Sequence, residues 1–220
     1  VDPSRLGKIW KVDPMPGPSR QTAPRRPVAP LFDPNLAPEI LDGPKRDWWQ
    51  QGGKIVQALG VRPGSVVADI GAGSGYLLPF LSKAVGAKGM VIAEEIQLAF
   101  LPTLRGVGRD LGNVEVVFGS ADDPKLTRRD VTLFTLLTVY HEVQNPVSFL
   151  KTLHRYATHD ARLAIIDFDP ERKGNPPPPQ GHSVREKDVI REARAAGWGV
   201  SQRISFQYPH SQFFLIFKRL

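Results

Sequence analysis

The chain has 220 residues, a formal net charge of +7 and no cysteine. Its length suits one domain with a sizeable core plus an appendage. Disulfides, thiolate metal sites and cysteine nucleophiles are excluded, and no apolar run approaches the ~20 residues that cross a bilayer.

The basic excess is uneven. Residues 45–150 are close to neutral, whereas Arg5, Lys8, Lys11, Arg20, Arg25 and Arg26 crowd the start and a second excess follows residue 150. These residues are scattered, and no aromatic RNA-binding motif accompanies them. They read as a solubilising surface, and nucleic acid is not the expected partner. The first residue is Val1. A cytoplasmic location is expected, with export the alternative if a signal peptide came before it. Oligomeric state is left open.

Taken in order, residues 1–44 carry ten of the prolines, from Pro3 to Pro44. That density forbids a regular helix or central strand and predicts an extended arm, with Trp10, Leu31, Phe32 and Ile40 as anchors. From residue 45 to 220 the composition is that of a domain. Ile55, Val56 and Leu59 have helical spacing before a stop at Gly60. Trp48 and Trp49 read as core or lid residues. An apolar strand, 66–70, leads into a glycine-rich turn and a helix over 74–85, with Pro79 near its start. A second strand at 90–93 ends in Glu94-Glu95. A helix over 97–110, a strand at 113–118 and a loop at 119–124 follow.

The run 131–139 is apolar enough for burial on both faces. Tyr140, His141 and Glu142 come directly after it. Pro146 opens a helix to about Tyr156, and a fifth strand spans 161–168. The loop 169–182, with four consecutive prolines, is a candidate flap. Residues 183–186 have the S-x-x-E form of a capping box, opening a helix that ends near Gly197. Residues 200–207 and 212–218 read as an antiparallel pair joined by a Tyr-Pro-His turn. His154 and His159 are expected at the surface. Strands alternating with helices predict an α/β fold with a mostly parallel sheet, whose ligands sit beyond the strand carboxyl ends.

One stretch there is the most informative: Val66-Val67-Ala68-Asp69-Ile70-Gly71-Ala72-Gly73-Ser74-Gly75-Tyr76. Glycines at 71, 73 and 75 remove side chains where the backbone turns, so a ligand can lie against bare peptide. Dinucleotide enzymes use G-x-G-x-x-G, with the pyrophosphate on a helix N-terminus. Here the spacing is G-x-G-x-G, preceded by an acid. Negative charge beside the site suits a cationic ligand better than a pyrophosphate.

D-x-G-x-G-x-G resembles motif I of the class I S-adenosylmethionine-dependent methyltransferases. With Arg46-Asp47-Trp48-Trp49-Gln50, TVYHEV, ARLAIIDF and GHSV in order, residues 45–220 resemble a bacterial branch near the quinone- and arsenite-methylating groups. The resemblance implies a Rossmann-like seven-stranded sheet with an antiparallel last strand, S-adenosylmethionine as cofactor and a small-molecule acceptor. It places Gly71, Ala72, Gly73 and Gly75 under the cofactor and Asp69 at its amino-acid end. Glu95 aligns with the acid that receives the ribose hydroxyls. Glu94 beside it is a potential substitute, although it reads more simply as a solvated turn residue. Ala121 and Asp122 match the adenine-reading position, with an Asx-type turn as the alternative for 122–124.

Residues after the fourth strand face the methyl group in this family, so Tyr140, His141 and, beyond the flap, His182 are the catalytic candidates. His141 could serve as general base. A metal site of His141, Glu142 and His182 ranks below that reading, and no metal is expected. Arsenite methylation through cysteines does not fit a chain that has none. The alternative functions are a catalytically silent cofactor-binding module and a nucleic-acid or protein methyltransferase.

Overall fold

The computed structural model describes residues 29–36, 41, 43, 45–178, 180–205 and 211–220. Most of the expected arm lies outside the described residues, including Trp10 and Ile40, as do Pro179 and the Tyr-Pro-His turn. Within the described arm, Phe32 is the anchor: it packs against Phe100 with ring centres 6.5 Å apart. Leu31 is not one, since it is 51% exposed.

The domain begins with two short helices, α1 (Arg46–Gln50) and α2 (Gly52–Leu59). Gln51 separates them in the left-handed region at φ 53°. Gly60 ends α2 at φ 56°, as the sequence predicts. Trp48 is neither core nor lid, being 72% exposed. Trp49 is half-buried against Phe168.

Next come β1 (Val66–Ile70), α3 (Leu78–Val85), β2 (Met90–Glu95), α4 (Leu101–Leu111), β3 (Val114–Phe118) and β4 (Val131–Leu137). They are followed by α5 (Pro146–Leu153), β5 (Ala157–Phe168), α6 (Glu186–Ala195), β6 (Trp198–Arg203) and β7 (Gln212–Arg219). The sheet order is β3-β2-β1-β4-β5-β7-β6. β1 to β5 run parallel, and β7 pairs antiparallel with both β5 and β6. This is the expected fold, with the antiparallel strand wedged inside the edge rather than forming it.

Two boundaries shift for packing reasons. β6 starts at Trp198, whose buried ring fills the core and whose indole N–H donates to the Leu150 carbonyl. α6 starts at Glu186 without the expected capping box, for its N-cap residue is Arg185, whose side chain makes no cap hydrogen bond. The Asp169 carboxylate, from the end of β5, accepts the Glu186 N–H instead at 3.1 Å. Tertiary structure supplies there the acceptor that Ser183 would have given locally.

Strand alternation divides the core between the two faces. Val67, Val91, Leu133 and Ile166 point toward α2, α3 and α4, with Leu77, Leu81 and Leu104 packed on them. Ala68, Ile92, Phe134, Leu136 and Ile165 point the other way, under Leu150, Leu153 and Val189 of α5 and α6. All five residues of β1 are buried, as a central parallel strand requires. None of the helices of the described residues is long and apolar enough to cross a membrane.

Candidate functional site

The β1–α3 turn forms the floor of the site. Gly71, Gly73 and Gly75 have φ of 66°, 57° and 93°, a region that side chains other than glycine rarely adopt. A Cβ on Gly71 would also lie 2.6 Å from a Val139 methyl. Three carboxylates surround this turn, and alternation decides where each points. Asp69 stands opposite Thr135 in register, on the α2–α4 face, and accepts that hydroxyl at 2.6 Å. Burial raises its pKa to about 6, against the Thr135 hydrogen bond and the charge of Arg46, which lower it. Arg46 itself sits over the Tyr76 ring, 4.1 Å from its centre.

Glu95 ends β2 on the same face. Its Oε2 accepts the Gly73 N–H at 2.9 Å, and its Oε1 accepts those of Ile96 and Gln97, both at 2.8 Å. A carboxylate has about four acceptor positions, so Oε2 keeps one for a ligand hydroxyl. Glu94 points to the opposite face. It is not the solvated turn residue of the simpler reading, being only 2% exposed. Its Oε2 accepts the Gly71 N–H at 3.2 Å, while the buried Oε1 has no hydrogen-bond partner. That orphaned oxygen fills the space a Cβ on Gly119 would occupy, 1.7 Å away. Burial is the main cause that pushes the Glu94 pKa to about 8.

Ala121 and Asp122 lie exposed in the loop after β3, with Asn145 Nδ2 donating to Asp122 at 3.4 Å. The Asx turn belongs to the next residue: Asp123 accepts the Lys125 N–H at 2.9 Å and is also bound by Arg155 and Tyr156. Asp122 therefore remains open to a ligand.

The other wall follows β4. Thr138 takes φ 56°, which turns the chain sharply into the short 3-10 segment Tyr140–Glu142. Tyr140 does not reach the cleft, which corrects its place among the catalytic candidates. It is fully buried in the α5–α6 core, and its hydroxyl donates to Glu192 of α6 at 2.8 Å. His141 is buried as well, but polar groups surround it. Its Nδ1 lies 2.8 and 3.0 Å from the two oxygens of Asp167, which also accepts the His141 backbone N–H.

Nε2 of His141 is 3.7 Å from Oε1 of Glu142. His182 completes the group, its ring perpendicular to that of His141 with centres 5.4 Å apart. Burial and the neighbouring His141 lower the His182 pKa. Burial is the leading cause that raises Glu142 to about 7; His141 and the Phe32 backbone N–H oppose it, while Asp167 and Glu95 add to it. His154 is not at the surface: its ring stacks on Trp198 at 4.5 Å. His159 is, at 99% side-chain exposure.

The arm spans the two walls. The Ala29 N–H donates to the His141 carbonyl, and the Arg46 guanidinium holds the Leu41 carbonyl at 2.8 Å. Leu41 lies against Gly73, 3.5 Å from where its Cβ would be. Sequence reasoning missed Asp167, Thr135 and Arg46 as supports of the site. Each sits in an apolar or helical run that gives its partner no local signal.

The family model of protein-L-isoaspartate(D-aspartate) O-methyltransferase matches residues 50–122. The ubiquinone/menaquinone biosynthesis C-methyltransferase UbiE of Vibrio vulnificus (strain YJ016) is 29% identical over 144 residues, 64% of this chain and 54% of that protein. The 2-phytyl-1,4-naphtoquinone methyltransferase of Synechococcus elongatus is 32% identical over 64% of this chain and 60% of its own length. The chain thus spans little more than half of these curated relatives. A crystal structure of a SAM-dependent methyltransferase from Aquifex aeolicus superimposes with a TM-score of 0.78 at 31% identity, over 86% of this chain and 100% of that one.

Proposed function

Because this chain belongs to the S-adenosylmethionine-dependent methyltransferases, we propose that it transfers the cofactor's methyl group to a nucleophilic oxygen or carbon of a small-molecule acceptor. One observation carries the reading: three buried carboxylates, Asp69, Glu94 and Glu95, gather around a turn of left-handed glycines. A ligand bearing a sulfonium and an ammonium group offsets the negative charge that Asp69 and Glu95 place beside the turn. The residues present fit the cofactor.

In this reading Gly71, Ala72, Gly73 and Gly75 pass beneath the cofactor, and Asp69 stands at its amino-acid end. Glu95 offers its remaining acceptor position to a ribose hydroxyl. Ala121 and Asp122 border the adenine. When bound, the cofactor supplies an activated methyl on sulfur. The protein's share is alignment and exclusion of water, with the nucleophile held at roughly 3–3.5 Å from the methyl carbon. His141, Glu142 and His182 form the polar wall that the acceptor meets, and Asp167 fixes the orientation of His141. The relatives named for ubiquinone, menaquinone and naphthoquinone favour a ring compound of that kind as acceptor.

The test is calorimetric titration with S-adenosylmethionine, S-adenosylhomocysteine and, as control, NADH. Micromolar binding of the first two alone is expected. Gly73→Arg, which puts a long cation where the cofactor passes, should abolish it while the protein stays folded. Failure of both sulfur ligands to bind the unaltered protein would refute the reading.

A further inference from the structure

We propose that His141, Glu142 and His182 bind a divalent transition-metal ion of zinc type on the acceptor side of the cleft, with Asp167 as the positioning residue for His141. One ligand atom from each of the three lies within 4.8 Å of the others. A tetrahedral ion at ~2.1 Å from each ligand holds ligand atoms ~3.4 Å apart. The 3.7 Å between His141 Nε2 and Glu142 Oε1 is already close to that value. An imidazole centre lies about 3.2 Å from an ion that the ring binds, so two rings on one tetrahedral ion have centres about 5 Å apart. The two rings here are 5.4 Å apart and perpendicular, so only a small side-chain movement closes the site.

The surroundings favour a cation over a simple base. Asp167 is fully buried and accepts at Nδ1 of His141, which fixes the proton there and leaves the lone pair on Nε2. A carboxylate behind an imidazole in this way is the usual outer support of a metal-bound histidine. A histidine serving as base needs its Nε2 turned to the acceptor. Here Nε2 faces another electron-rich group, the Glu142 carboxylate, and His182 stands beside them. Lone pairs converging on one point repel unless a proton or a metal ion lies between them. Among the described residues no lysine or arginine forms an ion pair with Glu142 or Asp167, whose only such partner is His141.

Three protein ligands leave a coordination position open, as catalytic rather than structural sites do. The ligand set stands on the side chains alone; the chemistry at the open position rests on the methyltransferase reading. That position takes a hydroxyl oxygen of the acceptor, for example of a phenol. Bound to the ion, the oxygen loses its proton to water at neutral pH. The new O–CH3 bond forms as the S–CH3 bond breaks, and the bonding electron pair of the latter stays on sulfur. His141 and His182 then act as ligands, and no protein base is required.

The test uses the full chain after chelator treatment, titrated with Zn²⁺ alone by calorimetry and with Co²⁺ alone by visible absorption. S-adenosylhomocysteine binding is measured in parallel. We expect one equivalent of either metal, with Co²⁺ showing the intense d–d bands of a low-coordinate site. His182→Ala and Glu142→Gln, both outside the apolar core, should each weaken Zn²⁺ by at least tenfold with unchanged thermal unfolding. Asp167→Asn should cost about 10- to 100-fold. Absence of saturable binding at one equivalent overturns the proposal, and so does affinity unchanged in both His182→Ala and Glu142→Gln. Metal binding without S-adenosylhomocysteine binding would keep the site and remove the methyltransferase reading instead.

Discussion

Glu94 shows at the residue scale how position overrides type. A glutamate after a strand usually ends in solvent, yet alternation turns this one under the sheet beside Gly119. Its pKa rises from 4.5 to about 8, chiefly through burial. Between those values the folded protein keeps a proton that the unfolded chain has released. The stability this contributes is complete below about pH 4.5 and is lost as pH rises to about 8. The slope reaches at most ~1.4 kcal/mol per pH unit. Asp69, raised from 3.8 to about 6, adds a smaller fall at lower pH. Denaturant unfolding of the ligand-free protein from pH 6 to 8 should therefore show declining stability, and Glu94→Gln should flatten the decline. Equal slopes in the two proteins would disprove this account.

At the scale of elements, the segment after β4 separates residues that are adjacent in sequence. The left-handed Thr138 sends Tyr140 into the core and leaves His141 and Glu142 on the cleft wall. Tyr140→Phe removes a buried hydroxyl that donates to Glu192, so a loss of roughly 1–3 kcal/mol is expected. Affinity for S-adenosylhomocysteine should not change. A stable Tyr140→Phe protein with impaired methyl transfer would return Tyr140 to the catalytic set. The same segment shows why the site was partly legible. Its polar residues stand out after an apolar strand, but which of them faces the cleft depends on one backbone angle. Asp167, the partner that orients His141, is hidden inside the apolar run of β5, 26 residues further on.

The whole molecule adds a cover to the site. Phe32 packs on Phe100 and the Ala29 N–H donates to the His141 carbonyl, while Leu41 rests against Gly73. One arm thus touches both the glycine turn and the wall that carries His141. Phe32→Ala should raise the dissociation constant for S-adenosylhomocysteine several-fold, mostly through faster release. Stopped-flow displacement measures this directly, and an unchanged release rate would show that the arm does not retain the ligand. Only the expectation of an extended arm came from the prolines, which forbid regular structure but carry no information on where the arm lies.

By itself the sequence determined the order of strands and helices, the glycine turn with Asp69 before it, and the placement of Glu95 at the end of β2. These features are local: hydrophobic period, chain reversal and strand ends are written in neighbouring residues. Only the tertiary structure decided that Glu94 is buried, that Tyr140 is core, that Asp169 caps α6 in place of Ser183, and that His182 meets His141 and Glu142. Each depends on which face a side chain takes, or on a partner far along the chain. Burial and hydrogen bonding between distant segments settle those choices when the sheet assembles, and no local pattern records them.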